Sequence, residues 1–274
     1  MKLVNLGCGT HCHPDWINLD RIPTSPDVLY VDALEKLPFE ESSVDALYSS
    51  HVVEHLSCDD ARVLLKDVRR ILRTDGLIRI VTPDLETIVL TYLAKLDDAL
   101  EGKPDADYEY QWMLLELLDQ SVRESRGGKM GRFLRNPELQ IHDFIRSRVG
   151  QEAEECWDRG QPCPLLWDKL RSVHPRLLVQ YVKNLMAKVL VRCVAGRDAA
   201  EAFETGLFRH SGEVHLWLYD RYSLRRLLAD VGFVDIRVCR ADESLIPGFN
   251  RFGLDIVCGA VRKPDSLFME ARKP

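Results

Sequence analysis

The chain has 274 residues, 46% hydrophobic and 29% charged, with a formal net charge of −6. That apolar content excludes a disordered chain, and 16 glycines with 13 prolines exclude a collagen-like or low-complexity one. Mild acidity disfavours a dedicated nucleic-acid binder, whose phosphate partners call for a basic surface, and the length suits one large core or two modest ones.

Leu3–Leu6 reads as a short buried strand ended by Gly7-Cys8-Gly9. Trp16–Leu19 is a second, ended by Asp20, and Val28–Val31 a third, ended by Asp32. Val44–Tyr48 is a fourth, followed by Ser49-Ser50-His51. Between Asp59 and Arg73, Ala61, Leu64, Leu65, Val68, Ile71 and Leu72 recur at helical steps, with Asp59 or Asp60 as N-cap. Asp75-Gly76 stops that helix, and Leu77–Val81 forms a fifth strand ended by Thr82-Pro83-Asp84. Runs without polar alternation belong in a mostly parallel sheet covered on both faces. Ligands bind at the C-terminal edge of such a sheet, where these polar and glycine residues gather.

From about residue 97 to 212 the pattern turns helical, around Tyr108–Leu118, Leu139–Val149, Leu165–Val173 and Leu177–Val194, with Pro104, Pro137, Pro162, Pro164 and Pro175 as punctuation. The α/β pattern then resumes with a helix at Tyr222–Leu228, a strand at Val234–Cys239 and a last strand at Leu267–Ala271. The expected fold is a doubly wound, Rossmann-like, seven-stranded, mostly parallel sheet with a large helical insertion between its fifth and sixth strands. Residues 1–96 and 213–274 then form one domain, and residues 97–212 an inserted lid or acceptor-binding layer.

Eight cysteines are present, but Cys8, Cys193, Cys239 and Cys258 sit in apolar or glycine-rich runs, where a thiol acts as a small hydrophobe. A reduced, cytoplasmic chain is expected. The N-terminus meets glycine too early for a signal peptide, and no apolar run is long enough to span a membrane; Leu177–Val194 is broken by Lys183, Lys188 and Arg192.

Val4–Gly9, Asp32-Ala33-Leu34, Leu37-Pro38-Phe39, Val44–Leu56, Arg73–Gly76 and Thr82-Pro83-Asp84 together resemble a class I S-adenosylmethionine-dependent methyltransferase. The likeness is to small bacterial methyltransferases of the type 11-like group, in which Gly-Cys-Gly leads quickly to Trp-Ile-Asn-Leu-Asp. It extends to Tyr219–Leu224 and Pro264–Glu270. The resemblance implies S-adenosylmethionine as cofactor and S-adenosylhomocysteine as product. Asn5, Leu6, Gly7, Cys8 and Gly9 would form the turn that approaches the cofactor closely. Asp20, with Arg21 beside it, would accept from the ribose hydroxyls, and Asp32 from the adenine amino group, with Ala33 and Leu34 flanking the ring. Ser49, Ser50 and His51 would line the cofactor from the fourth strand.

The pattern departs from the family at His11, where a third glycine is expected, and at Pro14, which leaves the first helix very short or absent. The same shortening counts against a nicotinamide fingerprint, which wants three glycines opening a helix and an acid about 20 residues on. An NAD(P)-dependent oxidoreductase and a catalytically inactive cofactor-binding scaffold stand as alternatives.

Methyl transfer to a hydroxyl benefits from a general base, and His51 is the first candidate by position, His215 the second. Cys8, His11, Cys12 and His13 cluster in sequence, as do His51, His55 and Cys58. Neither set has a four-ligand zinc spacing, so no metal is expected, and Glu54 and His55 read as the start or cap of a helix. Ser121–Arg148 carries Arg123, Arg126, Lys129, Arg132, Arg135, Arg146 and Arg148 against Glu124, Glu138 and Asp143. That excess suits a phosphorylated or lipid-linked glycan or another small acidic acceptor. The resembling group's association with surface-polysaccharide assembly implies O-methylation of a saccharide or other small hydroxyl acceptor.

Overall fold

A computed structural model describes residues 1–136, 139–158 and 175–274. Pro137, Glu138, Pro162, Pro164 and the helix expected at 165–173 lie outside the described residues. Strands β1 (Leu3–Leu6), β2 (Ile17–Asp20), β3 (Val28–Tyr30), β4 (Val44–Ser50) and β5 (Leu72–Pro83) run parallel in the order β3-β2-β1-β4-β5. After β6 (Val234–Cys239) come a small hairpin, β7 (Ile256–Val257) with β8 (Ala260–Val261), and then β9 (Ser266–Arg272). β9 pairs antiparallel with both β5 and β6, which completes a seven-stranded sheet with one reversed strand. β1 lies between β2 and β4, so the chain leaves it in opposite directions and opens a crevice at its tip.

Helix α1 (Cys58–Ile71) covers one face of the sheet. Its Ala61, Leu64, Leu65, Val68 and Ile71 pack on Val4, Leu6, Leu47, Ile78 and Ile80. Its N-cap is Ser57, whose hydroxyl accepts the Asp60 N–H at 3.1 Å. Asp59 and Asp60 instead occupy the first turn, where carboxylates complement the helix dipole. β5 begins at Leu72, earlier than its apolar core suggests, because Asp75 (φ 60) lets the chain run through Gly76 and exchange backbone hydrogen bonds with Lys273.

Among the described residues, the opposite face is covered without an α-helix. Residues 240–262 lay Ile246, Phe249, Phe252 and Leu254 over Tyr48, Val81 and Phe268, with Trp16 closing the edge. Arg79, 0% exposed in the middle of β5, fastens this cover. Its five N–H groups meet Asp255 Oδ2 (2.8 Å), Glu270 Oε1 (2.9 Å) and the carbonyls of Glu243 (2.8 Å), Arg240 (3.2 Å) and Ala241 (3.2 Å).

Between β5 and β6 lies the helical layer: α2 (Leu85–Leu100), α3 (Ala106–Val122), α4 (Gly128–Leu134), α5 (His142–Val149), α6 (Gln151–Asp158) and α7 (Pro175–Arg209). A further helix, α8 (Arg221–Val231), joins α1 on the first face through Leu224, Leu227 and Leu228. The layer has a core of its own, in which Ile88, Trp112, Met113, Ile141 and Ile145 meet. α7 breaks at Gly196 (φ 89) and leaves Tyr181, Leu185, Met186, Val189 and Leu190 exposed. Among the described residues no helix is long and apolar enough to cross a membrane.

Candidate active site

The loop after β1 is tied to the tip of β2. The Gly7 and Cys8 amides both donate to the Leu19 carbonyl, at 2.8 and 3.1 Å. Asp20 accepts the Gly9 amide on Oδ2 and the Ile22 amide on Oδ1, each at 2.8 Å. Beneath the loop, Asn5 donates to the His11 carbonyl (2.9 Å) and to Asn18 Oδ1 (3.0 Å). Gly7 has φ +71, and a Cβ there would stand 2.1 Å from Val52 Cγ2. A Cβ on Gly9 (φ +54) would meet nothing within 4 Å. The loop is therefore a rigid backbone cradle facing open space.

That space is a cleft of about 1180 Å³ between the sheet tips and the helical layer. Asn5, Gly7, Cys8, Gly9, Ser50, His51 and His215 line it together from the sheet side, as expected sites brought to one place. Gln120, Arg123, Met130 and Arg135 line it from the helices. Asp20 supports the cradle from behind, and Leu6 and Ser49 are buried. Arg21 pairs with Asp32 at 3.8 Å, and Asp32 caps the Leu34 amide at 3.0 Å. Ala33 and Leu34 border a separate, smaller hollow beside Val63 and Lys66.

His51 follows β4 in the left-handed region (φ 55), a conformation that a non-glycine residue holds only where its surroundings impose it. Its Nδ1 lies 3.0 Å from Glu54 Oε1 and its Nε2 2.9 Å from Ser266 Oγ. Glu54 is fully buried in the 3₁₀ turn Val53–His55 and also accepts from Thr82 Oγ1 at 3.2 Å. Burial alone would raise its carboxyl, but His51, His55 and His215 hold it well below the ordinary carboxylate range. An ionised Glu54 accepts Nδ1–H of a neutral His51 ring, which leaves Nε2 as the acceptor of the Ser266 hydroxyl. Sequence reading placed Glu54 as a helix cap and passed over Ser266, which lies 215 residues from His51. Only its place at the start of the last strand marked it.

His215 arrives on the segment that returns from the helical layer, with its amide donating to the Gln120 carbonyl at 2.9 Å. The ring is 4% exposed and meets His55 edge to face, 4.8 Å between centroids. Burial pushes its imidazole down from 6.5 to about 3. The folded chain thus binds this proton less tightly than the unfolded chain, so stability rises with pH across that window and is lost as pH falls below 6.5. We expect His215→Gln to flatten the urea midpoint's dependence on pH just below that value, where one proton contributes at most about 1.4 kcal/mol per pH unit. An unchanged slope would contradict this.

Of the basic residues in Ser121–Arg148, Arg126 pairs with Glu213, Arg146 with Asp143 and Glu154, and Arg148 with buried Glu116. Arg123 and Arg135 line the cleft, whereas Arg132 is exposed and not part of the lining. Cys8 and Cys239 are buried and Cys193 and Cys258 exposed. Burial pushes the Cys8 thiol far up, which makes it inert packing beside Cys12.

Residues 7–80, from the cradle through β5, match the methyltransferase domain family. The chain carries a methyltransferase domain. Its cofactor is S-adenosylmethionine, and the open cradle at Gly9 with the Asp20 carboxylate behind it fits that group. No curated protein matches the chain.

Among solved structures, the chain is similar to the complex of the Haloferax volcanii Trm112 methyltransferase activator with a proposed methyltransferase. There the identity is 12% and the TM-score 0.37, over 100% of this chain and 82% of that one. It is also similar to a proposed S-adenosylmethionine-dependent methyltransferase from Listeria monocytogenes, at 24% identity and TM-score 0.24 over 30% of this chain and 47% of that one. PKMT2 from Rickettsia typhi in complex with AdoHcy is 11% identical with TM-score 0.34, over 99% of this chain and 48% of that one. The chain spans about half the length of the last two.

Proposed function

We propose that the methyltransferase methylates a hydroxyl of a saccharide or other small acceptor held between the sheet tips and the helical layer. S-adenosylmethionine supplies an electrophilic methyl group on a sulfonium sulfur. The cradle Asn5–Gly9, with Asp20 and Arg21 behind it and Ser50 beside it, would hold the cofactor, and Asp32 to Leu34 would take its adenine end. The protein's own contribution is alignment and one proton acceptor.

The observation that carries this reading is the placement of His51. Its Nδ1 is fixed by Glu54, its Nε2 is an oriented acceptor, and the ring lines the same cleft as Gly7 and Gly9. His51 would take the hydroxyl proton at Nε2, where the acceptor hydroxyl would replace the Ser266 hydroxyl, and His215 would line the acceptor as a neutral polar group. A methyl-transfer assay on a panel of hydroxyl acceptors tests this. With the true acceptor, His51→Ala should lower kcat about 10²–10⁴-fold while leaving S-adenosylmethionine affinity within a few-fold. Wild-type kcat in this variant would remove His51 from the role, and turnover absent with every acceptor would favour a cofactor-binding scaffold.

Arg123, Arg135 and Lys263 on the cleft wall support an acceptor bearing a phosphate or carboxylate, such as a nucleotide- or lipid-linked sugar. Arg135→Gln should raise the acceptor KM several-fold, whereas Arg132→Gln, outside the lining, should not. Equal effects of the two would point to diffuse attraction in place of a contact.

A further inference from the structure

Glu54, His55 and His215 come together although 160 residues of chain separate the last from the other two. One ligand-capable atom of each lies within 4.8 Å of those of the others. Two features point to an occupant. His55 Nδ1 lies 3.1 Å from the Val214 carbonyl, so it donates there and leaves Nε2 as the ring's acceptor. Backbone carbonyls that accept the far N–H fix metal-ligating imidazoles in this way. His215 is 4% exposed, and among the described residues its buried Nδ1 has no hydrogen-bond partner. A native fold rarely leaves such a nitrogen unmet, because the desolvation goes uncompensated.

We propose that Glu54, His55 and His215 bind a divalent first-row transition ion. Two imidazoles and one carboxylate suit zinc, manganese, iron(II) or cobalt(II), whereas magnesium and calcium prefer all-oxygen sets. Three protein ligands leave coordination positions open. His55 and His215 both line the cleft, so those positions face the space assigned to the acceptor. An acceptor hydroxyl coordinated there would be more acidic and would lose its proton to His51 more readily. The ion site stands on these residues alone; its use in activating a hydroxyl rests on the proposed methyl transfer. Spacing along the chain could not reveal it, because the third ligand returns from beyond the helical layer.

The test is a Co²⁺ titration of the chelator-treated, full-length chain, followed by calorimetry and visible absorption, with S-adenosylhomocysteine titrated into the same samples. Wild type should bind one equivalent of Co²⁺ with a d–d band. His55→Ala and His215→Ala should each weaken binding at least about tenfold, the loss that even an outer-shell partner causes. Cys12→Ser removes the thiol whose Sγ lies 3.6 Å from Cys8 Sγ, and should leave binding unchanged. Absence of saturable binding, wild-type affinity in both histidine variants, or loss of binding in Cys12→Ser would overturn the site. If His215→Ala does not fold, half-buried His55→Ala decides alone. Co²⁺ binding without S-adenosylhomocysteine binding would uphold the ion and remove the methyl-transfer reading; the reverse would remove only the ion.

Discussion

Arg79→Leu should lower the unfolding free energy by about 3–5 kcal/mol, the usual consequence of removing one partner from a buried ionic network. The side chain is 0% exposed, and its loss removes the buried cation that Asp255 and Glu270 share. Glu270 keeps the Leu245 amide (2.8 Å) and Arg237 (3.2 Å), and Asp255 keeps the Tyr48 hydroxyl (2.6 Å). The 240–262 cover, however, loses the side chain that gathers three of its carbonyls and one of its acids. Arg79→Lys should recover little, since one ammonium has three donors and cannot span five acceptors. Urea unfolding at constant m measures the change. A loss under about 1 kcal/mol would mean that the apolar contacts of Phe249 and Phe252 hold the cover unaided.

Gly7→Ala should weaken S-adenosylhomocysteine binding at least about tenfold, or 1.4 kcal/mol. The new methyl would sit 2.1 Å from Val52 Cγ2, on a backbone whose φ of +71 already disfavours any side chain. Either the loop lifts from β2, breaking its bonds to the Leu19 carbonyl, or Val52 is displaced beside His51. Gly7→Ala combined with Val52→Ala removes the clash but not the conformational strain, so it should restore only part of the affinity. Thermal shift and calorimetry measure both variants. In wild type, S-adenosylmethionine and S-adenosylhomocysteine should raise the melting temperature while NAD and NADP leave it unchanged. Wild-type affinity in Gly7→Ala would remove the loop from the cofactor site, and stabilisation by NAD alone would favour a dehydrogenase.

The strand tips were legible because buried parallel strands announce themselves twice, as uninterrupted apolar runs and as the polar residues that end them. Leu3–Leu6 before Gly7 and Ile17–Leu19 before Asp20 are the clearest cases. The cover at 240–262 was not legible, since most of it is irregular and its packed apolar residues follow neither a helical nor a strand period. Its anchor, Arg79, reads in sequence as a polar interruption of a strand. The β1–β4 side of the site was legible, and so was His215, which returns to the sheet edge after the helical stretch. Ser266 and the cleft-facing placement of Arg135 were not, because they reach the site from distant parts of the chain and no local spacing encodes such meetings. Glu54 was visible but misjudged, because a carboxylate just before a helix ordinarily serves the helix terminus, and here it turns inward to an imidazole.

Glu54 also bears mechanical load through its main chain. Its carbonyl accepts the Leu216 amide at 2.7 Å and the Trp217 amide at 3.1 Å, while its carboxylate steadies His51 and its turn leads into α1. The segment that returns from the helices therefore hangs on the residue whose carboxylate meets the His51 ring. A displacement of Leu216 or Trp217 reaches that ring through two backbone hydrogen bonds and the Glu54 side chain, so the junction ties the helical layer to the end of β4.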